Sequence, residues 1–249
     1  MRGTLIFIMI TAVLLPFFSV PAVAFTIPER LEFEITYAGI PAGHAVQEVI
    51  RLGEEIQIVS TARSAAWLKY FFPVEDHIES ILIPSSISQL IGVPRFFRER
   101  KSEGRTRVQR DAVFDRQKME VTTTDLLNNS SSTKTITDKT YDTLSSFFYF
   151  RSIPLKVGAP YRIEIFDGKR LWDTEVKVLR HEEIVTPLGR FKTIVIHPLL
   201  QSEGIFARTA DMYIWLTDDN LRIPVQMKSK VVVGSITATL VGGSYWPVP

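Results

Sequence analysis

Leu31-Glu32-Phe33-Glu34-Ile35-Thr36-Tyr37 alternates apolar and polar side chains without a break. Side chains of an extended chain point alternately to opposite faces, so this stretch reads as a strand with one greasy and one wet face. The same alternation returns at residues 44–50, 56–62, 74–83, 96–101, 106–114 and 118–124. It resumes at 161–166, 171–179, 193–198, 206–216, 224–232 and 235–245. Turn chemistry separates the segments: residues 39–43, Gly104, Asp115-Arg116, Pro187-Leu188-Gly189 and Val233-Gly234. Asp167-Gly168 suits a two-residue hairpin loop, which needs positive φ. Residues 64–72 read as an aromatic connector with a helical turn, and 128–133 as a polar loop. One helix is expected, opened by Asp142 as a cap for its free amides and ending near Arg151 before Pro154. Leu144, Phe147, Phe148 and Phe150 are expected to give it an apolar face. About a dozen closely spaced strands predict an all-β fold, an antiparallel meander forming a closed or half-open barrel with one short helix. Closure removes sticky sheet edges.

The amino end carries Met1-Arg2-Gly3, an apolar run from Leu5 to Phe18, and then Ala22-Val23-Ala24. A positive start, a short apolar core and a small-x-small site make a cleavable export signal, residues 1–24, cut after Ala24. The apolar core is short for a spanning helix, which needs about 20 residues, and Pro16 and Pro21 interrupt its end. No later apolar run is long enough to span, so no transmembrane segment is expected after cleavage. Residues 25–249 show no linker and read as a single β domain. The absence of cysteine excludes disulfides, thiolate metal sites, a Cys nucleophile and a lipid-modified amino terminus. With 29 basic and 27 acidic residues, nothing pulls the chain toward nucleic acid.

Several segments together resemble a known family: Tyr37-x-Gly39-Ile40-Pro41-Ala42-Gly43, Phe72-Pro73-Val74-Glu75-Asp76-His77-Ile78-Glu79-Ser80 and Pro154-Leu155-Lys156-Val157-Gly158. Trp215-Leu216-Thr217-Asp218-Asp219 with Pro224-Val225, and Gly234-Ser235-Ile236-Thr237-Ala238, extend the likeness. They are similar to the bacterial exported proteins grouped as domain of unknown function 3108. The resemblance covers about residues 31–245 and implies a β-rich fold and a periplasmic or secreted location in a Gram-negative-type bacterium. It carries no settled activity and no functional residues.

The densest charge lies in Arg95-Phe96-Phe97-Arg98-Glu99-Arg100-Lys101 and Arg105-Thr106-Arg107-Val108-Gln109-Arg110. With Glu103-Gly104 as the loop, Arg100 would face Arg107 and Arg98 would face Gln109. Arg98, Arg100, Arg105 and Arg107 would then share one side. Four guanidiniums on one side suit a phosphate or carboxylate; a solvated edge hairpin whose charges deter aggregation is the plainer reading. Phe72, Phe97, Phe148, Trp172 and Trp215 are candidates to line an apolar pocket in a curled sheet, although such side chains also fill ordinary cores. Glu75, His77 and Glu79 share a strand face, but no second His stands at ligand spacing, so no metal site is assigned. No nucleophile elbow, phosphate loop or dinucleotide fingerprint is present, and no cofactor is expected.

The expectation is a non-enzymatic binder of an amphipathic or anionic envelope molecule, lipid-like or resembling lipopolysaccharide. Two alternatives stand beside it: an assembly partner that joins an envelope protein through sheet edges, and an unrecognised hydrolase.

Overall fold

Period-two stretches joined by short turns lay each strand beside the one before it. The computed structural model describes residues 25–85, 91–199, 211–231 and 234–246; the stretch 1–24 expected to be an export signal and residues 206–210 of a predicted strand lie outside them. The elements are β1 (Glu29–Tyr37), β2 (Ile40–Leu52), β3 (Glu55–Ser64), a 3₁₀ turn (Leu68–Tyr70), β4 (Val74–Ile83), β5 (Val93–Glu103), β6 (Thr106–Asp115) and β7 (Glu120–Asp125). After them come β8 (Ser130–Thr135), β9 (Thr140–Asp142), the helix α1 (Thr143–Ser152), β10 (Pro160–Phe166), β11 (Leu171–Thr186), β12 (Gly189–Pro198), β13 (Met212–Thr217), β14 (Pro224–Lys230) and β15 (Ser235–Gly243). All belong to one sheet in which β1 pairs with β15 and two arms run outward to end at β8 and β9. The ladders are antiparallel except the short parallel pair β9–β10. No ladder joins β8 to β9 among the described residues, so the all-β meander is curled and half-open.

Alternation places the core as the sequence implied. On β1, Glu29, Leu31 and Phe33 are buried while Arg30 is exposed. The inside of the curl is filled unequally, and that inequality makes the site. Near the β2–β3 turn, Leu144 and Phe148 of α1 join Phe25 over Val49, Ile58 and Leu82. Phe25 and Phe148 meet edge-on, 5.3 Å between centroids. On its other side α1 buries Phe150 against Ile163, Val176 and Ile194. The helix is therefore apolar on two sides rather than one, as befits a plug between two walls. Across the open seam, Phe166 packs on Phe97, Phe114 and Val121. Arg116 donates to the carbonyls of Pro94, Thr137 and Thr140 nearby. Side chains close what the ladder leaves open.

Three local readings are corrected. Residues 130–133 of the expected 128–133 loop belong to strand β8. Its sequence Ser-Ser-Ser-Thr-Lys-Thr lies at an exposed edge, wet on both faces, so no apolar alternation marks it. The β10–β11 loop has four residues, not two, since Phe166 pairs with Leu171. Asp167 Oδ1 accepts from the amides of Lys169 and Arg170 and holds that wider turn. Finally, Glu103 pairs with Thr106, so the β5–β6 loop is Gly104-Arg105. Gly104 takes φ +56 at the first loop position, where a type II′ turn wants glycine.

Candidate functional site

Among the described residues, nothing plugs the end of the curl away from α1. There the inner faces of β1 to β5 enclose a half-open cavity of about 740 Å³. Small residues leave the room: Ala42 and Gly43 on β2, Ala62 and Ser64 on β3. Gly43 is needed for the close approach of β3, because a Cβ there would stand 2.3 Å from the Arg63 carbonyl oxygen. Ile35, Leu68, Val74, Ile78 and Ile236 supply aliphatic wall, and Phe72 lines the mouth. The Phe72 ring lies over Gly104, where a Cβ would meet it at 2.6 Å.

One polar cluster interrupts this wall. Odd positions of β5 face inward, placing Lys101 and Glu103 in the cavity beside Asp76 of β4. Glu99 is buried one step deeper, its Oε1 accepting from the Lys101 ammonium at 2.5 Å. Burial alone would lower the Lys101 pKa, but Glu99 beside it raises it, so the ammonium stays charged. Asp76 Oδ1 accepts from the Ser102 amide at 3.0 Å. The Glu103 carboxyl is pushed up to about 7, first by burial and then by the adjacent, hydrogen-bonded Asp76. So raised, the Glu103 carboxyl keeps its proton up to near neutrality.

A carboxyl raised in the folded state holds its proton more tightly there than in the unfolded chain. Its stabilising effect is therefore full below about pH 4.5 and is lost as pH rises through about 7. Glu103→Gln, which cannot titrate, should flatten the stability profile between about pH 5 and about pH 8 by about 1 kcal/mol, a figure discounted for partial exposure. Urea midpoints across that range check it; a wild-type profile as flat as the variant's refutes the raised Glu103 carboxyl.

The arginines occupy the other face of the same strands. Arg98 and Arg100 both donate to Asp111, and Arg98 also reaches Glu79 at 3.3 Å. Burial would raise Asp111, but hydrogen bonds from Arg98 and Arg100 override it and hold the carboxyl below its usual range. Arg107 pairs across from Ser102 and donates to the carbonyls of Gly104 and Thr106. Arg105 sits in the turn itself, exposed. Arg98, Arg100 and Arg107 thus share the outer face as expected, Arg98 and Arg100 in a carboxylate network and Arg107 beside the turn, while Arg105 leaves the ladder for the turn itself. His77 is exposed, Glu75 pairs with Arg63, and Glu79 accepts from Gln57 and Arg98.

Of the five aromatic candidates, Phe72 lines the cavity. Phe97, Phe148 and Trp215 are buried in separate packing clusters. Trp172 is half-buried, its indole donating to Asp167 at 2.7 Å. The pocket is walled by what is small rather than by what is large.

With this geometry in view, the comparisons can be set against it. The family model described as a protein of unknown function, DUF3108, matches residues 32–241. The chain belongs to the DUF3108 family. Among solved structures, a β-barrel-like protein of domain of unknown function DUF1849 from Brucella abortus is similar. Its TM-score is 0.55 at 12% identity, covering 88% of this chain and 98% of that one. The hypothetical protein CT021 from Chlamydia trachomatis gives a TM-score of 0.40 at 6% identity, with 91% and 94% covered. A search of curated proteins gives no match. The DUF1849 likeness supports a barrel-like fold and says nothing of ligand. No described helix is long and apolar enough to cross a membrane.

The cavity residues of this DUF3108 chain left a faint trace in the sequence. Ala42-Gly43 and Ala62 with Ser64 are small residues at strand ends that the β2–β3 pairing sets side by side. The inward charges Glu99, Lys101 and Glu103 are the odd positions between the conspicuous arginines.

Proposed function

We propose that this DUF3108 protein is an exported envelope protein that binds an amphipathic, lipid-like molecule without transforming it. The single supporting observation is the half-open cavity of about 740 Å³, mostly apolar with Asp76, Lys101 and Glu103 as its inward charged groups and exposed Arg63 at its lip. Its size lies within the usual range for small-molecule sites, which are mostly apolar with a few placed polar groups. The apolar part of the ligand occupies the space between β1 and β4. Its head stays at the mouth, where Arg63, Arg105 and Arg107 favour negative charge. Arg98 and Arg100, held by Asp111 and Glu79, serve the sheet.

Solvent extraction of the purified mature protein, followed by mass spectrometry, should release an amphipathic molecule. Ala62→Trp puts an indole into empty space and should weaken binding of a fluorescent fatty-chain probe at least tenfold, about 1.4 kcal/mol. Probe binding that Ala62→Trp leaves unchanged removes the cavity reading. Strand addition to a protein partner is favoured by one observation, the exposed edge strand β8. A stoichiometric protein partner in envelope pull-downs, without co-purifying lipid, would support that reading instead.

A further inference from the structure

The connector between β3 and β4 does two things in five residues. Its 3₁₀ turn directs Leu68 and Phe72 into the cavity. The residues between them go the other way: Tyr70 is 89% and Phe71 80% exposed. Trp67, 45% exposed, is fixed by its indole donating to the Pro41 carbonyl at 2.9 Å. Ile40 of the adjacent β1–β2 turn is 57% exposed. Scattered apolar side chains on a surface need no explanation, but a contiguous set does. This set stands at the mouth of an apolar cavity and contains Trp and Tyr, the residues that sit best where one end is greasy and the other wet.

Charge says what covers it. Lys69 lies within the aromatic turn, and Arg105 and Arg107 lie in and beside the β5–β6 turn that Phe72 touches. All three are exposed, and none pairs with a carboxylate among the described residues. Glu75, at the start of β4, is held by Arg63 at 3.3 Å, and Asp76 and Glu103 are turned into the cavity. An aromatic tip ringed by unneutralised cations complements a bilayer surface bearing anionic headgroups.

We infer that residues 67–72, with Arg105 and Arg107, dock the mouth of the cavity onto an anionic membrane surface. Tyr70 and Phe71 enter the headgroup layer, and Lys69, Arg105 and Arg107 meet its phosphates. An apolar chain then passes between bilayer and cavity without crossing water. That last step rests on the cavity reading; the docking itself does not.

The test is co-sedimentation of the mature protein with phosphatidylcholine vesicles, with and without phosphatidylglycerol. Wild type should bind the anionic vesicles, more weakly as salt is raised. Tyr70→Ser with Phe71→Ser should lower partitioning at least tenfold, and Arg105→Glu or Lys69→Glu about fivefold or more each. Ala62→Trp should sediment like wild type, so failure of the cavity reading and failure of docking are seen separately. Docking is overturned if wild type ignores anionic vesicles or if the serine pair binds as well as wild type. It is equally overturned if wild type is a dimer that Phe71→Ser converts to monomer, which assigns the patch to a second copy.

Discussion

Arg151→Met is expected to cost about 3–5 kcal/mol of folding stability, the usual penalty for stranding one partner of a buried ion pair. The Arg151 side chain is 0% exposed and that of Glu29 1%. The guanidinium donates to both Glu29 oxygens, at 2.6 and 2.8 Å, and to the carbonyls of Arg222 and Leu221. The Phe25 and Phe148 rings flank it at 4.7 and 5.0 Å. This fork ties the carboxy end of α1 to β1 and to the chain entering β14. Methionine restores most of the volume, so the loss reports the abandoned Glu29 carboxylate, left with the Tyr245 hydroxyl at 2.7 Å. Adding Glu29→Gln should then recover much of it, because a neutral buried pair avoids the desolvation of both charges. Urea unfolding of both single variants and the double variant gives the coupling. A loss under about 1 kcal/mol for Arg151→Met would show that the pair contributes little.

Alternation made the fold legible wherever one strand face is wet. Val74–Ile83 has the same bounds in sequence and structure, since Asp76, Ile78, Ser80 and Leu82 run inward and Glu75, His77 and Glu79 outward. The signal fails where both faces share a fate. β8 is exposed on both sides and was read as loop. The tip of the β10–β11 hairpin was misread for another reason: Asp-Gly marks a turn but not its length, and the Asp167 carboxylate stabilises four residues as readily as two.

The site was less legible, because it depends on where packing stops. Large aromatics advertise themselves, yet Phe97, Phe148 and Trp215 are consumed in filling the curl. The space is created by Ala42, Gly43 and Ala62, and by a helix long enough to fill one end only. The arginine cluster turned on a one-residue choice. With Glu103-Gly104 as the loop, Arg105 would share a face with Arg98 and Arg100; with Gly104-Arg105, it leaves the ladder and joins the rim of the mouth. Arg107, opposite Ser102 instead of Arg100, keeps to the outer face with Arg98 and Arg100.

The other end of α1 has its own lock, and Asp142→Ala is expected to open it at a cost of about 2–5 kcal/mol. Asp142 is fully buried at the helix amino cap. Its Oδ1 accepts from the amides of Leu144 and Ser145 at 2.9 and 2.8 Å, and its Oδ2 from the Ser80 hydroxyl of β4 at 2.6 Å. Alanine removes the cap, about 1–2 kcal/mol, and leaves the buried Ser80 hydroxyl unpaired, about 1–3 kcal/mol more. Burial raises the Asp142 pKa although every hydrogen bond to it acts in the opposite direction. Asp142→Asn keeps the accepting oxygen and discards the charge, so it should cost under about 1 kcal/mol. If Ser80 and Asp142 act as a unit, Ser80→Ala in the alanine background should cost less than in wild type, because the orphaned hydroxyl goes with it. Additive losses would mean that Asp142 merely caps the helix. Coupled ones would mean that a single buried carboxyl holds α1 to the β4 wall, and so determines how far the plug reaches and where the cavity begins.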